Sequence, residues 1–275
     1  MAFLKFAQQK LEKKFAQTPP PAEERPDYQA ANLQGLGARS GQEDSFTVAG
    51  AFDAAAAREK GLLFAVCDGM GGMRDGRLAS ETAIQSLRQS FQSMDRTRDL
   101  AAQLEQSVYQ ASSQVEAQIG GDGGSTVVMG ILYQGGLYYA SVGDSFLYLL
   151  RDGNLLRLNT EHNLCHQKYL EAIREGSMDP LPYQSLPDGA ALTEFLGMPG
   201  LDQVDCSVLP LPIDGGDVLL ACSDGVGGVL SPEEIAEALE KPTAEEACAD
   251  LEAKIVSHNR PHQDNYTAIV IKCVM

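Results

Sequence analysis

The run TVVMGILYQGGLYYASVGDSFLYLLRDGNLLRL, Thr126 to Leu158, decides the fold class. It divides into apolar stretches rich in β-branched and aromatic residues at 126–133, 137–142, 146–150 and 155–158, each of strand length. Gln134-Gly135-Gly136 and Asp152-Gly153 stand between neighbouring stretches, and both are short turn sequences. Hairpin connections make antiparallel sheet, which argues against a purely parallel, doubly wound architecture. Working outward, further strands are expected at 45–52, 62–67, 217–222 and 266–274. Helical periodicity covers 77–93, 98–119, 164–175, 232–240 and 243–258. Ser231-Pro232-Glu233-Glu234 marks a helix start, with Ser as the cap and Pro in the first position. Strand pairs, two long helices, a strand meander and more helices describe an α+β layered domain, antiparallel sheets covered by helices.

Composition narrows the function. The 275 residues are ample for a substantial core. They carry 21 Lys and Arg against 38 Asp and Glu, a formal net charge of −17. That field repels nucleic acid and anionic lipid, so no nucleic-acid partner is expected. It also repels phosphate esters, unless bound cations reverse the local sign. The six cysteines include no Cys-x-x-Cys pair, and a reducing cytoplasm fits them best. No apolar run is long enough for a transmembrane segment, and MAFLKFAQQKLEKKFAQ lacks the apolar core of a signal peptide. Residues 3–17 instead read as a short basic amphipathic helix, with Lys5, Lys10, Lys13 and Lys14 around an apolar face. Docking of this helix onto the acidic remainder is preferred to contact with a membrane. Residues 18–34 read as a Pro-rich linker, so that 1–34 form an N-terminal extension and 35–275 the main domain.

The aspartates fall at strand ends. Leu62 to Cys67 runs into Asp68-Gly69-Met70-Gly71-Gly72, Val218 to Cys222 into Ser223-Asp224-Gly225, and Tyr138 to Val142 into Gly143-Asp144-Ser145. Asp264-Asn265 precedes the last strand and Glu43-Asp44 the first in the series. Asp-Gly after a strand is a favoured turn, and any single pair has that reading. Three glycines after Asp68 exceed what a two-residue turn needs. Converging carboxylates repel one another unless hard cations sit between them, and a glycine carbonyl can serve as a further oxygen ligand. Five acidic sites at strand edges therefore favour a metal cluster. Other chemistries fit less well. Gly120 to Thr126 is glycine-rich but lacks the Gly-Lys-Ser/Thr ending of a P-loop, and there is neither a dinucleotide G-x-G-x-x-G nor a G-x-S-x-G nucleophile elbow. His162 and His166 are four apart without a zinc-type glutamate base.

In order along residues 35–274, these motifs resemble the metal-dependent serine/threonine protein phosphatases of type 2C, the bacterial members in particular. Gly37 to Asp44 is similar to the family's Arg-x-x-Asn-Glu-Asp motif, and Asp68 to Gly72 to its Asp-Gly-Met/His-Gly-Gly hallmark, with Ala79-Ser80 following. Gly124-Ser125-Thr126, Gly143-Asp144-Ser145, Ser223-Asp224-Gly225 and Asp264-Asn265 complete the set. The resemblance implies a four-layer α-β-β-α sandwich of two antiparallel sheets flanked by helices. It implies two divalent cations, Mn²⁺ or Mg²⁺, and a weaker third. Asp68 would bridge the pair, the Gly69 carbonyl would bind one ion, and Asp224 and Asp264 would hold the other. Asp144 would help hold the third. Glu43 and Asp44 would position the attacking water, and Arg39 would clamp the substrate phosphate. Phosphorylated proteins are the implied substrates, a cognate Ser/Thr kinase system the implied partner, and the cytoplasm the implied location. A silent binding domain and a hydrolase of small phosphate esters are the alternatives.

Four positions depart from the family pattern. Gln42 stands for Asn, Phe146 for the Arg after Gly-Asp-Ser, Gly228 for an Asp, and Met70 for the His of eukaryotic members. His162 is a distant substitute for that missing acid. Residues 163–206 correspond to the variable flap beside the active site, which sets substrate choice in such loops.

Overall fold

A computed structural model describes residues 25–50, 59–71, 75–120, 123–176 and 186–274. The expected helix over 3–17 lies outside them. In chain order the strands are β1 (Asp27–Gly35), β2 (Ser45–Ala49), β3 (Leu62–Cys67), β4 (Gly69–Met70), β5 (Gly124–Ser125), β6 (Val127–Tyr133), β7 (Gly136–Val142), β8 (Phe146–Arg151), β9 (Asn154–Arg157), β10 (Asp205–Cys206), β11 (Leu211–Pro212), β12 (Val218–Cys222) and β13 (Tyr266–Val274). The helices are α1 (Asp75–Ser93), α2 (Leu100–Ile119), α3 (Leu164–Arg174), α4 (Asp224–Gly227), α5 (Pro232–Leu239) and α6 (Ala244–Ser257).

Two antiparallel sheets stack face to face. One has the order β1-β13-β12-β8-β9, the other β10-β7-β6-β3-β2, with β11 also on β7. Both faces of each sheet are covered, which explains why the central strands are apolar throughout rather than alternating. In β3, Leu62, Phe64 and Val66 enter the core between the sheets and meet Leu147, Leu149, Leu219, Ile269 and Ile271. Leu63, Ala65 and Cys67 point the other way, against Leu87 of α1 and Leu104 and Val108 of α2. On the far side, Ile235 and Leu239 of α5 and Leu251 and Ile255 of α6 cover Tyr148, Leu220 and Val270. The result is the four-layer α-β-β-α order expected.

The turns and caps follow the local sequence. Gln134-Gly135 and Asp152-Gly153 all have positive φ, as two-residue hairpin turns require. Ser231 and Thr243 form full capping boxes with Glu234 and Glu246 at the starts of α5 and α6.

One boundary needs correction. Residues 27–34, expected as linker, belong to β1, which pairs with β13 over nine residues from Asp27↔Val274 to Gly35↔Tyr266. Edge position is the reason the strand was missed: only one flank is paired, most of its side chains are half or fully exposed, and no apolar run results.

Candidate active site

Strand ends bring the acidic residues together. A cavity of about 440 Å³ is lined by Arg39, Glu43, Asp68, Gly69, Asp144, Asp224, Asp264 and Asn265. Asp68 follows β3, Asp144 follows β7, Asp224 follows β12, and Asp264 precedes β13. The loop between β1 and β2 supplies Arg39 and Glu43. Seven of the eight expected site residues thus line one cavity. The eighth, Asp44, is 4% exposed and lies beneath it, where its Oδ2 accepts the Ser223 hydroxyl at 3.0 Å. Asp44 stays outside that lining, and its charge bears on Asp68.

Two glycines are dictated by close approach. A Cβ at Gly69 would stand 2.0 Å from the Gly76 carbonyl oxygen and 2.7 Å from that of Glu43. At Gly225 it would stand 1.9 Å from the Asn265 carbonyl oxygen. The Asp-Gly pairs let neighbouring backbones crowd against the carboxylates, beyond simply turning the chain.

Small polar side chains fix the aspartates, and these the sequence reading left without a role. Thr126 Oγ1 accepts the Asp68 N–H at 3.1 Å and pairs with Ser145 Oγ at 2.7 Å. Ser125 donates to the Asp68 carbonyl at 3.0 Å. Asn265, 3% exposed, accepts the Glu43 N–H at 2.8 Å and donates to the carbonyls of Leu36 and Gly41. It ties the loop carrying Arg39 and Glu43 to the root of β13. The signal for these residues was present in Gly-Ser-Thr and Asp-Asn, but their partners are 19 to 229 positions away.

The electrostatics are those of crowded anions. Burial raises the Asp68 carboxyl well above the ordinary aspartate range, and the charges of Asp44, Asp224, Asp144 and Asp264 add to the effect. Burial and Asp224 lift Asp144 to about 7. Asp44 is pushed up to about 6, chiefly by burial, with the Thr267 and Ser223 hydroxyls opposing and Asp224 adding. Burial followed by Asp264 raises Asp224. Among the described residues Arg39 is the one arginine or lysine in the lining, and its Nη2 sits 2.6 Å from Asp264 Oδ2.

Divalent cations fit this donor set. Glu43 Oε1, Asp44 Oδ1 and Asp224 Oδ1 are buried without a hydrogen-bond partner among the described residues. Orphaned carboxylate oxygens at that depth are costly unless a cation or its hydration water meets them. Among the described residues no three His, Cys, Asp or Glu side chains close on a single point as an all-protein cage would. Magnesium-type sites do not need one, since such ions keep several waters and take one or two carboxylates plus substrate phosphate.

The departures have structural answers. Gln42 accepts the Asp44 N–H at 2.9 Å and donates to the Gly35 carbonyl at 3.2 Å, so the longer amide still closes the loop. Phe146 stacks on Tyr148, and the Arg157 guanidinium lies 4.2 Å above its ring. Gly228 leaves Asp144 with no added carboxylate at that position. His162 is buried outside the cavity lining, its Nδ1 accepting the Gly143 N–H at 3.1 Å, and is thereby removed as a proton donor there.

A layered sandwich with a carboxylate-rich, cation-ready cavity at one edge defines a metal-dependent hydrolase of phosphate esters. Residues 29–174, more than half of the chain, match the family described as Protein phosphatase 2C. The chain is similar to the serine/threonine phosphatase stp of Listeria innocua, 29% identical over 224 residues, 78% of this chain and 86% of the relative. Its structure resembles the crystal structure of the Mycobacterium tuberculosis serine/threonine phosphatase PstP/Ppp, with TM-score 0.74, 26% identity and coverage of 90% and 99%. It also resembles the catalytic domain of PstP in complex with two manganese ions, with TM-score 0.69, 26% identity and the same coverage. The chain belongs to the protein phosphatase 2C family.

Proposed function

We propose that this protein hydrolyses phosphoserine and phosphothreonine in proteins, using two divalent cations, Mn²⁺ or Mg²⁺, and a water. The observation that carries the reading is the meeting of Asp68, Asp144, Asp224 and Asp264 from four strand ends in one cavity with Arg39 at its rim. Asp68, the Gly69 carbonyl, Asp224 and Asp264 would hold the two cations, and Asp144 a weaker third. Bound there, the cations lower the pKa of the attacking water and neutralise the phosphoryl oxygens.

The chain's own groups do the rest. Glu43 stands at the cavity wall with a free carboxylate oxygen to orient a water, its backbone held by Asn265. Asp44 keeps Ser223 and Asp68 in register from behind. Arg39 exchanges Asp264 for the substrate phosphate, a planar fork well matched to two phosphoryl oxygens. Asp264 and phosphate compete for one guanidinium, so Arg39 binds phosphate once Asp264 is otherwise engaged. The domain that does this begins at β1.

Phosphorylated proteins are the substrates in this reading, and a Ser/Thr kinase in the same cytoplasm supplies them. No helix among the described residues is long and apolar enough to cross a membrane. The test is phosphate release from a phosphothreonine peptide with Mn²⁺ or Mg²⁺. Release that is abolished by EDTA and by Asp68→Asn supports the assignment. A folded protein with no release under any divalent cation would overturn it.

A further inference from the structure

Gln263 immediately precedes Asp264 in the loop between α6 and β13, and neither the sequence motifs nor the lining of the active site includes it. It is 8% exposed, and its side-chain amide reaches across to the other acidic strand end. Nε2 donates at 2.9 Å to the carbonyl of Gly225, the residue after Asp224, and at 3.3 Å to the carbonyl of Asp264. The backbone carbonyl of Gln263 accepts the N–H of Ala38, beside Arg39, at 2.7 Å. One residue thus touches the three segments that carry Asp224, Asp264 and Arg39.

Both side-chain partners are acceptors, so only the NH₂ end of the amide can face them. Oε1 is left buried and without a hydrogen-bond partner among the described residues. An unmet buried oxygen is costly, so packing alone would be served better by an apolar side chain. The donor end answers a need at Gly225. Helix α4 closes after a single turn, Asp224–Gly227. The Val229 N–H, which would meet the Gly225 carbonyl in a longer helix, bonds the Val226 carbonyl instead at 3.1 Å. Gln263 supplies the donor that the helix does not.

The consequence falls on the two carboxylates. Asp224 and Asp264 line one cavity and repel each other until a cation sits between them. Crowding keeps their backbones from closing further, since a Cβ at Gly225 would stand 1.9 Å from the Asn265 carbonyl oxygen. Gln263 acts in the opposite sense, bonding the backbone after Asp224 to that of Asp264. Crowding and bond together fix the separation of the two strand ends before any ion arrives. A site fixed in advance binds more tightly, because the ion need not draw its ligands together.

We propose that Gln263 is a positioning residue for the cation assigned to Asp224 and Asp264, setting that ion's affinity through its bond to the Gly225 carbonyl. The proposal rests on the two-cation reading above. It is tested by isothermal titration of Mn²⁺ into the full chain, which counts the ions and measures each affinity without turnover. The wild type is expected to take up two. Gln263→Met keeps the length of the side chain and removes the donor. It is expected to weaken one step about 10–100-fold and to leave the other, at Asp68 and the Gly69 carbonyl, within about threefold. Gln263→Glu keeps the shape, and its added charge would by itself tighten cation binding. Weakening of one step in that variant as well ties the loss to the missing donor.

Thermal unfolding in EDTA shows whether each variant is folded before ions are added. If Gln263→Met does not fold, Gln263→Glu alone decides. Folded variants in which both steps stay as in the wild type, or weaken alike, overturn the proposal and leave the two-cation reading standing. Tighter binding by Gln263→Glu overturns it too. A wild type that binds fewer than two ions would sink the reading of the site itself.

Discussion

Arg39 and Asp264 face each other across the rim of the active site, 2.6 Å apart, yet each is proposed to serve a different ion. Their contact is half exposed, so it contributes little to stability and yields readily to a stronger partner. Arg39→Lys preserves the charge but loses the planar fork. It is expected to raise KM for a phosphopeptide roughly tenfold, the worth of one charge-assisted hydrogen bond, with a smaller effect on kcat. Steady-state kinetics separates the two. Thr126 carries a second prediction at this scale. Its hydroxyl accepts the Asp68 N–H and meets Ser145, so Thr126→Val removes the acceptor and preserves the shape. Loss of such a supporting contact is expected to weaken Mn²⁺ binding or turnover about 10–100-fold. A manganese titration of activity shows it as a shift in the half-saturating concentration.

Among the elements, β1 and the start of α4 make the sharpest demands. A chain starting at residue 35 discards all of β1 but Gly35 and bares the flank of β13, eight residues of unpaired backbone beside a hydrophobic core. Such an edge aggregates. A chain starting at residue 25 keeps the whole pairing and is expected to remain monodisperse in size-exclusion chromatography, where the shorter one does not. Gly225 sits at the first turn of α4 against the Asn265 carbonyl. Gly225→Ala forces backbone apart at the root of Asp224 and Asp264, the aspartates proposed to hold a cation, and overpacking of this kind costs about 1–3 kcal/mol. Thermal unfolding should show a clear fall in Tm, with activity lost beyond what the fall explains.

For the whole molecule the governing quantity is the net charge of −17. An acidic phosphopeptide approaches against that field, and the penalty is screened as the Debye length shrinks from about 30 Å at 0.01 M salt to about 8 Å at 0.15 M. Turnover of an acidic phosphopeptide is therefore expected to rise with salt over this range, measured as kcat/KM at constant Mn²⁺. A peptide with basic flanks should show the opposite slope. Identical slopes for both would mean that the charge distribution plays no part in substrate capture.

The sequence by itself determined the fold class, the sheet hairpins, most helix limits and the positions of the acidic residues, because each is a local signal. Strand length, turn glycines, capping boxes and Asp after an apolar run are all read within a few residues. Tertiary structure alone decided the remainder. That β1 is a strand depends on β13, its partner more than two hundred residues away. That Asp44 lies under the site, that Asn265 locks the Arg39 loop, and that Arg39 pairs with Asp264 follow from contacts the sheet packing creates. His162 is the plainest case: read locally it was a distant substitute for a missing acid, whereas the packing buried it outside the active-site lining. Burial and pairing are properties of three-dimensional neighbours, and a side chain's chemistry is set by what surrounds it once the chain has closed.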